Sequence, residues 1–304
     1  MIDIIGKRYW FFLISGVAIL LSIIFLVVFG LKPGLEFSSG SSMTISFSQK
    51  VDHGALKEEL ANLGYGNSIV QTIGTGESDF LIRTVALTDE AKKQLEAGLT
   101  DKFGPLTEKS FQTIDPIIAK QTSRTTIIAL IVATFVMLLY IIWAFRRVPK
   151  SFRYGTTFTV ALVHDVLITA GVFSILGVLA GWEIDLMFIT GILAVIGVSI
   201  DNTIVVFDRI RENVRKGISS SFEAVANYSI VETLTRCLNT TITIVITLVV
   251  LLVFVGGSIQ NFVWVLLIGS IVGTFDSVFV APSLLVVWEQ GEWGRFLHPS
   301  RASR

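Results

Sequence analysis

Apolar and polar positions fall into two regimes along the chain. Residues 10–31 form an unbroken apolar run, and four further long runs follow beyond residue 124, with a sixth near the C-terminus. About 20 apolar residues at 1.5 Å rise cross a hydrocarbon core of roughly 30 Å. The pattern predicts membrane helices over 10–31, 125–145, 156–180, 184–216, 238–255 and 262–288, with a cytoplasmic loop over 217–235. Residues 219–221 would cap a short amphipathic helix in that loop. Between the first two runs, residues 32–122 read as a soluble domain. Met43, Ile45 and Phe47 alternate in a strand over 42–48. Leu56, Leu60 and Leu63 recur at helical spacing over 52–63, stopped by Gly64. Strands follow over 68–73 and 80–85 around a turn at 74–76, then a helix over 88–102 capped by Thr88, and a last strand over 105–114. The order β-α-β-β-α-β is the ferredoxin-like split arrangement. The expected fold is therefore a polytopic α-helical membrane protein of six transmembrane helices with an extracytoplasmic α+β ferredoxin-like domain. Its parts would be 1–31, 32–122, 123–288 and a tail over 289–304.

Composition agrees. The 304 residues are 52% hydrophobic and 16% charged, below the roughly 25% of soluble domains. A formal net charge of +0 speaks against a nucleic-acid partner, leaving membrane lipid as the surroundings. Lys7 and Arg8 precede the first run, while Arg146, Arg147, Lys150 and Arg153 follow the second. Asp208, Arg209, Arg211, Glu212, Arg215 and Lys216 end the fourth, and Arg295, Arg301 and Arg304 lie in the tail. Positive charge on the inner side then places both termini in the cytoplasm and residues 32–122 outside. The first run is longer than the core of a cleaved signal, so it is expected to stay. Cys237 is the one cysteine, so no internal disulfide or cysteine-rich metal site can form.

Ionisable residues inside these runs are the candidate chemistry. Asp201 and Asn202 precede the charged end of the fourth helix by roughly 10 Å. His164 and Asp165 lie in the third helix, Arg236 opens the fifth, and Asp276 lies in the sixth; all fall in the inner half of the bilayer. Such residues are costly in hydrocarbon and expected to face a bundle interior or a wet cavity. Arg236, Thr240, Thr243 and Thr247 would form one polar stripe. Gly191, Ala194 and Gly197, and Gly269 with Gly273, would allow close helix contacts. Acids, a histidine and an arginine at one depth are the parts of a proton relay. Taken singly, Arg236 equally fits a side chain snorkelling to the surface. His164 and Asp165 equally fit a hydrogen-bonded structural pair, so the relay reading rests on the set. No Walker-type loop occurs, so no nucleotide site or other cofactor is expected. Ser199 and His164 lack the orienting group and the Gly-x-Ser-x-Gly elbow of a hydrolase.

At these residues the chain resembles the SecF family of the SecD–SecF protein-export complex, in the RND superfamily. TIVVFDRIREN at 203–213, with Asp208, Arg209, Arg211, Glu212 and Asn213, matches the family signature. His164-Asp165 falls in the third-helix motif. ETLTRCLNTT at 232–241 places Arg236 on the family's functional arginine, and GSIVGTFDSVFVAP at 269–282 matches the sixth helix. GLEFSSG at 34–40 resembles the family's Gly-Ile-Asp-Phe-Thr-Gly-Gly run, with Glu36 for Asp and Ser39 for Gly. Two departures stand out. The usual Asn-Asp order is here Asp201-Asn202, so Asn202 occupies the usual acid position, and Asp276 replaces a usual serine.

The resemblance implies a non-enzymatic subunit pairing with SecD in a twelve-helix bundle beside the SecYEG channel, with SecA and YajC as indirect partners. It would use the proton-motive force to draw unfolded preproteins across the bacterial cytoplasmic membrane as the external domain moves. Asp201 and Asp276, with Arg236 between them, are expected to share the family aspartate's role. A small-molecule exporter of the same superfamily, or a purely structural subunit, are the competing readings.

Overall fold

The computed structural model describes residues 2–72, 78–146, 151–254 and 259–292. The turn expected at 74–76, Arg147 and Lys150, the outer turn at 256–258 and the tail arginines lie outside the described residues. The chain divides into two compact units, residues 33–127 and the remainder.

The first unit begins with a short helix α2 (Leu35–Ser38), numbered after the membrane helix α1 (Arg8–Val28). Strand β1 (Gly40–Phe47), helix α3 (His53–Asn62), β2 (Ile69–Thr72), β3 (Asp79–Thr84), α4 (Asp89–Phe103) and β4 (Leu106–Ile114) follow. The four strands form an antiparallel sheet in the order β2-β3-β1-β4, the expected split topology. Alternation in β1 buries Met43, Ile45 and Phe47 against Leu56 and Leu60 of α3 and Leu95 and Leu99 of α4. Asp52 caps α3 by accepting from the Ala55 N–H at 2.9 Å, and Thr88 caps α4 by accepting from Ala91 at 3.3 Å. Helix α2, which hydrophobic periodicity did not predict, ends at two residues with positive φ, Ser39 at 62° and Gly40 at 118°. A Cβ on Gly40 would stand 2.5 Å from the Thr84 carbonyl oxygen, so the start of β1 needs glycine there.

Among the described residues, six helices are long and apolar enough to cross a membrane: Ile5–Val28, Pro116–Ala144, Phe152–Ala180, Leu186–Lys216, Phe222–Phe254 and Gln260–Gln290. Within them run α5 (Pro116–Ala144), α6 (Ser151–Ala180), α7 (Leu186–Lys216), α8 (Phe222–Phe254), α9 (Gln260–Phe275) and α10 (Ala281–Gln290). Glycines set the closest approach. A Cβ on Gly269 of α9 would lie 2.2 Å from Val195 of α7, and one on Gly191 would lie 2.8 Å from Val265. Gly197 is exposed and faces open space, so the contact expected of it is not made.

Besides α2, three elements differ from expectation, the first being α5, which begins at Pro116, nine residues before the expected 125. The amphipathic helix expected after residues 219–221 is present, with Ser221 Oγ accepting from the Ala224 N–H at 3.4 Å, but it is not a short helix within a loop, because α8 runs unbroken from Phe222 to Phe254. No glycine or proline interrupts that stretch, and its buried Val225, Ala226, Ser229, Ile230 and Thr233 continue one helical face into the apolar part. The sixth span is not one regular helix. A π turn, Asp276–Val280, separates α9 from α10. Pro282 supplies the cause. Its ring has no N–H and collides with the carbonyl four residues earlier, so the backbone widens to bonds of longer reach. The Ala281 N–H accordingly bonds the Asp276 carbonyl.

A buried His–Asp–Asp cluster and an exposed Asp–Arg groove

The third and sixth spans bring three of the candidate residues together. His164 and Asp165, adjacent on α6, are buried, and Asp276 at the start of the π turn is 0% exposed. His164 Nδ1 lies 3.0 Å from Asp165 Oδ1 and 3.7 Å from Asp276 Oδ1. The imidazole's other nitrogen, Nε2, meets Ser15 Oγ of α1 at 3.1 Å. Ser199 Oγ of α7 donates to Asp165 Oδ2 at 2.5 Å. That approach requires Gly273, where a Cβ would stand 3.1 Å from Ser199 Cβ and 3.2 Å from Asp165 Oδ2. Among the described residues, neither oxygen of Asp276 has a hydrogen-bond partner. A buried carboxyl with no partner carries its full desolvation cost, and such costs are retained where charge is used. The side-chain polar atoms of His164, Asp165 and Asp276 lie within 4.8 Å of one another, near enough to share protons. An apolar groove of about 390 Å³, walled by Phe12, Ile19, Val160 and Leu284, has His164 and Asp276 in its lining.

Asp201 and Arg236 are placed elsewhere. Both are exposed and line a second groove of about 600 Å³ with Asp208, Arg209, Glu212 and Glu232. The expected position of Arg236 between Asp201 and Asp276 is therefore not found: Arg236 shares a groove with Asp201, while Asp276 faces His164. The stripe of Arg236, Thr240, Thr243 and Thr247 lies on one exposed face of α8, and its hydroxyls bond within their own helix rather than across helices. Thr240, Thr243 and Thr247 are exposed, and their hydroxyls donate to the carbonyls of Arg236, Asn239 and Thr243 on their own helix. Thr241, one position along, points inward instead and meets Thr274 Oγ1 at 2.6 Å. Asn202, also buried, donates to the same Thr274 oxygen at 3.2 Å.

The charged signature fastens two helices. Arg209 donates from Nε and Nη2 to both oxygens of Glu232, at 2.6 and 2.7 Å, and from Nη1 to Glu212 at 2.6 Å. Asn213 donates to Ser229 and Glu232, both at 2.9 Å. Arg211 pairs with Asp208, and Lys216 with Glu212 at 2.6 Å. The bonds to Glu232 and Ser229 hold the end of α7 against the start of α8, a duty that the fork geometry of arginine suits, while the other pairs lie within α7. The residues that sequence reasoning missed are Ser15, Thr241 and Thr274, while Ser199 was weighed only as a hydrolase nucleophile. Only Ser15 left a signal, as one of three polar side chains, Arg8, Ser15 and Ser22, spaced by seven in an apolar helix.

Fold and site together define a polytopic membrane protein with a split β-α-β domain after its first span and an ionisable cluster inside its helical bundle. Residues 94–291 match the family model for the C-terminal region of the protein export membrane proteins SecD/SecF, and residues 24–51 match the SecD/SecF GG motif. The protein translocase subunit SecF of Thermobaculum terrenum is 39% identical over 97% of this chain and 96% of its own length. That of Anaerolinea thermophila is 36% identical over 96% of each. The protein translocase subunit SecDF of Bacillus subtilis is 30% identical over 95% of this chain, which spans 38% of it. A crystal structure of SecDF from Thermus thermophilus, a translocon-associated membrane protein, superimposes with a TM-score of 0.82 at 27% identity. That match covers 95% of this chain and 39% of the crystallised one. The chain belongs to the SecD/SecF family of protein export membrane proteins.

Proposed function

We propose that this chain is a proton-driven subunit of the Sec protein translocase, with no enzymatic activity of its own, that promotes the late export of preproteins. Relatives named as translocase subunits align over nearly its whole length. Proton coupling is supported above all by Asp276, a fully buried carboxyl without a hydrogen-bond partner, set against the His164–Asp165 pair. A buried acid that exchanges a cationic neighbour for an apolar one takes up and releases a proton. Relatives in which a longer SecDF chain contains the matched region support SecD as the partner carrying the other half of the bundle. Asp201 and Arg236, charged and exposed on α7 and α8, are then covered by that partner and extend the relay to its face. The SecYEG channel, SecA and YajC are the remaining members of the assembly, and unfolded preprotein is the substrate.

In this reading the protein sits in the bacterial cytoplasmic membrane with both termini inside. Lys7, Arg8, Arg215 and Lys216 mark the inner side, and the split domain is outside. A small-molecule exporter is disfavoured, since the matched relatives are translocase subunits. The test uses vesicles carrying the chain, its SecD partner and the channel. Asp276→Asn and Asp165→Asn should remove the part of preprotein translocation that depends on the proton gradient and spare the part driven by ATP. Full gradient-dependent export in the double variant would end the reading and move the relay to Asp201 and Arg236 or to the partner. A reporter at Gly217 should behave as cytoplasmic.

A further inference from the structure

Helix α1 is apolar and largely exposed, and its buried residues are Arg8, Ser15 and Ser22. Seven residues are close to two helical turns, so the three fall on one seam. Two of them have structural partners. Arg8 pairs with Glu223 at 2.6 Å and Glu292 at 2.8 Å, and Ser22 packs so tightly on Gly171 of α6 that a Cβ there would stand 2.4 Å from it. Ser15 instead meets the imidazole of His164.

His164 is faced by Asp165 on its own helix, by Asp276 from the sixth span and by Ser15 from α1; Ser199 of α7 reaches it only through Asp165. With Nδ1 turned to two carboxylate oxygens, the ring's tautomer and orientation depend on what Nε2 touches. A hydroxyl suits both charge states. It donates to a bare Nε2 and accepts from Nε2–H, and it is the side-chain group able to do both without moving a heavy atom.

Resting on the reading of the cluster as a proton site, we infer that Ser15 is a positioning residue of the relay, which holds the His164 imidazole against the two acids before and after protonation. The hydrogen-bonded path Ser15–His164–Asp165–Ser199 thereby joins α1, α6 and α7. Helix α1 leads directly into the split domain, so a displacement of that helix along α6 opens the Ser15 contact and changes the proton site.

The chain has three histidines, so His53→Gln and His298→Gln leave His164 as the sole imidazole for 15N-histidine spectra of the full-length protein with its partner. Ser15→Ala should shift the two ring-nitrogen signals, displace the pH midpoint of His164, and move the pH profile of gradient-dependent export in the same direction. Ser15→Thr, which keeps the hydroxyl, should restore all three. Ser22→Ala, on the same seam without contact to His164, should leave them unchanged. Unaltered His164 signals in Ser15→Ala overturn the inference, and so does an equal response from Ser22→Ala, which would mark a packing effect. Gradient-dependent export that survives Asp276→Asn overturns the relay reading instead, while the nitrogen spectra still report on the Ser15–His164 link.

Discussion

Asp276 presents its carboxylate to His164 at 3.7 Å, from one helix to another, and makes no hydrogen bond through either oxygen. The relation is costly as packing, because the group is removed from water without compensation. Asp276→Ser should therefore stabilise the bundle by about 1–3 kcal/mol, the usual cost of an unsatisfied buried polar group. Gradient-dependent export should fall in the same variant, a trade of activity for stability. Thermal unfolding in detergent checks the first half; an unchanged or lower midpoint would show that the carboxyl is not stored at a cost.

Ser39 adopts φ 62°, a conformation that glycine takes freely and other residues do not, and Gly40 follows at 118°. A non-glycine residue there costs about 1–3 kcal/mol. Ser39→Gly should recover part of it and raise the urea midpoint of the split domain. Gly40→Ala should lower it, because the new methyl meets the Thr84 carbonyl. Equal midpoints for the two variants would refute the account.

Gly269 is the tightest helix contact between α7 and α9, with Val195 opposite. Gly269→Leu should destabilise the bundle by about 1–3 kcal/mol through overpacking. Adding Val195→Ala should restore part of the loss, whereas a distant site would give simple additivity. Detergent melts of the two single variants and the double variant decide between these outcomes.

The split domain should lose stability in acid. The hydrogen bond from Lys92 holds the Glu108 carboxyl below its ordinary 4.5, and that from Lys109 holds Asp79 below 3.8. For both, the folded value is lower than the unfolded one. Their stabilisation is complete above the ordinary values and is lost as pH falls through the folded ones. Glu96 acts with opposite sign: burial raises it above 4.5, so its contribution is present at low pH and lost as pH rises through the folded value. Lys92→Met should flatten the acid limb of a melting-temperature profile. An unchanged slope below pH 4.5 would show that the Lys92–Glu108 pair, 2.6 Å apart, does not couple folding to protons.

Much of this architecture was legible because its signals are periodic. Met43, Ile45 and Phe47 announce their strand by alternation, and Asp52 and Thr88 announce helix starts by capping chemistry. The amphipathic start of α8 is legible from its cap and from Val225, Ala226 and Ile230, but its continuation into the fifth span is not, because the stretch up to residue 235 mixes charge with polar side chains and only the spacing of Ser229 and Thr233 carries the buried face onward. His164, Asp165, Asp201, Arg236 and Asp276 were visible as polar residues in apolar runs. Their partners were not, since pairing depends on the rotation of each helix about its axis. One residue of phase, about 100°, separates the inward Thr241 from the outward Thr240, and the same uncertainty put Arg236 between Asp201 and Asp276 rather than beside Asp201 alone. Thr274 carries no sequence mark, because serine and threonine are ordinary in membrane helices, where they bond to their own backbone, and nothing in the sequence pointed Ser199 to Asp165.

The π turn at Asp276 sets the phase of the whole sixth span. Each residue advances an α-helix by about 100°, so one residue more in a turn rotates everything beyond it by that angle. Ala281, Pro282, Leu285 and Val286 are buried under the present phase. Deleting one residue from 276–280 would turn them toward the lipid while leaving Gly269 and Gly273 where they are. Sliding the wide turn by one position, with no deletion, would instead swing a single side chain across the helix surface and hold both flanking segments still. Asp276 occupies the residue that such a slide would move.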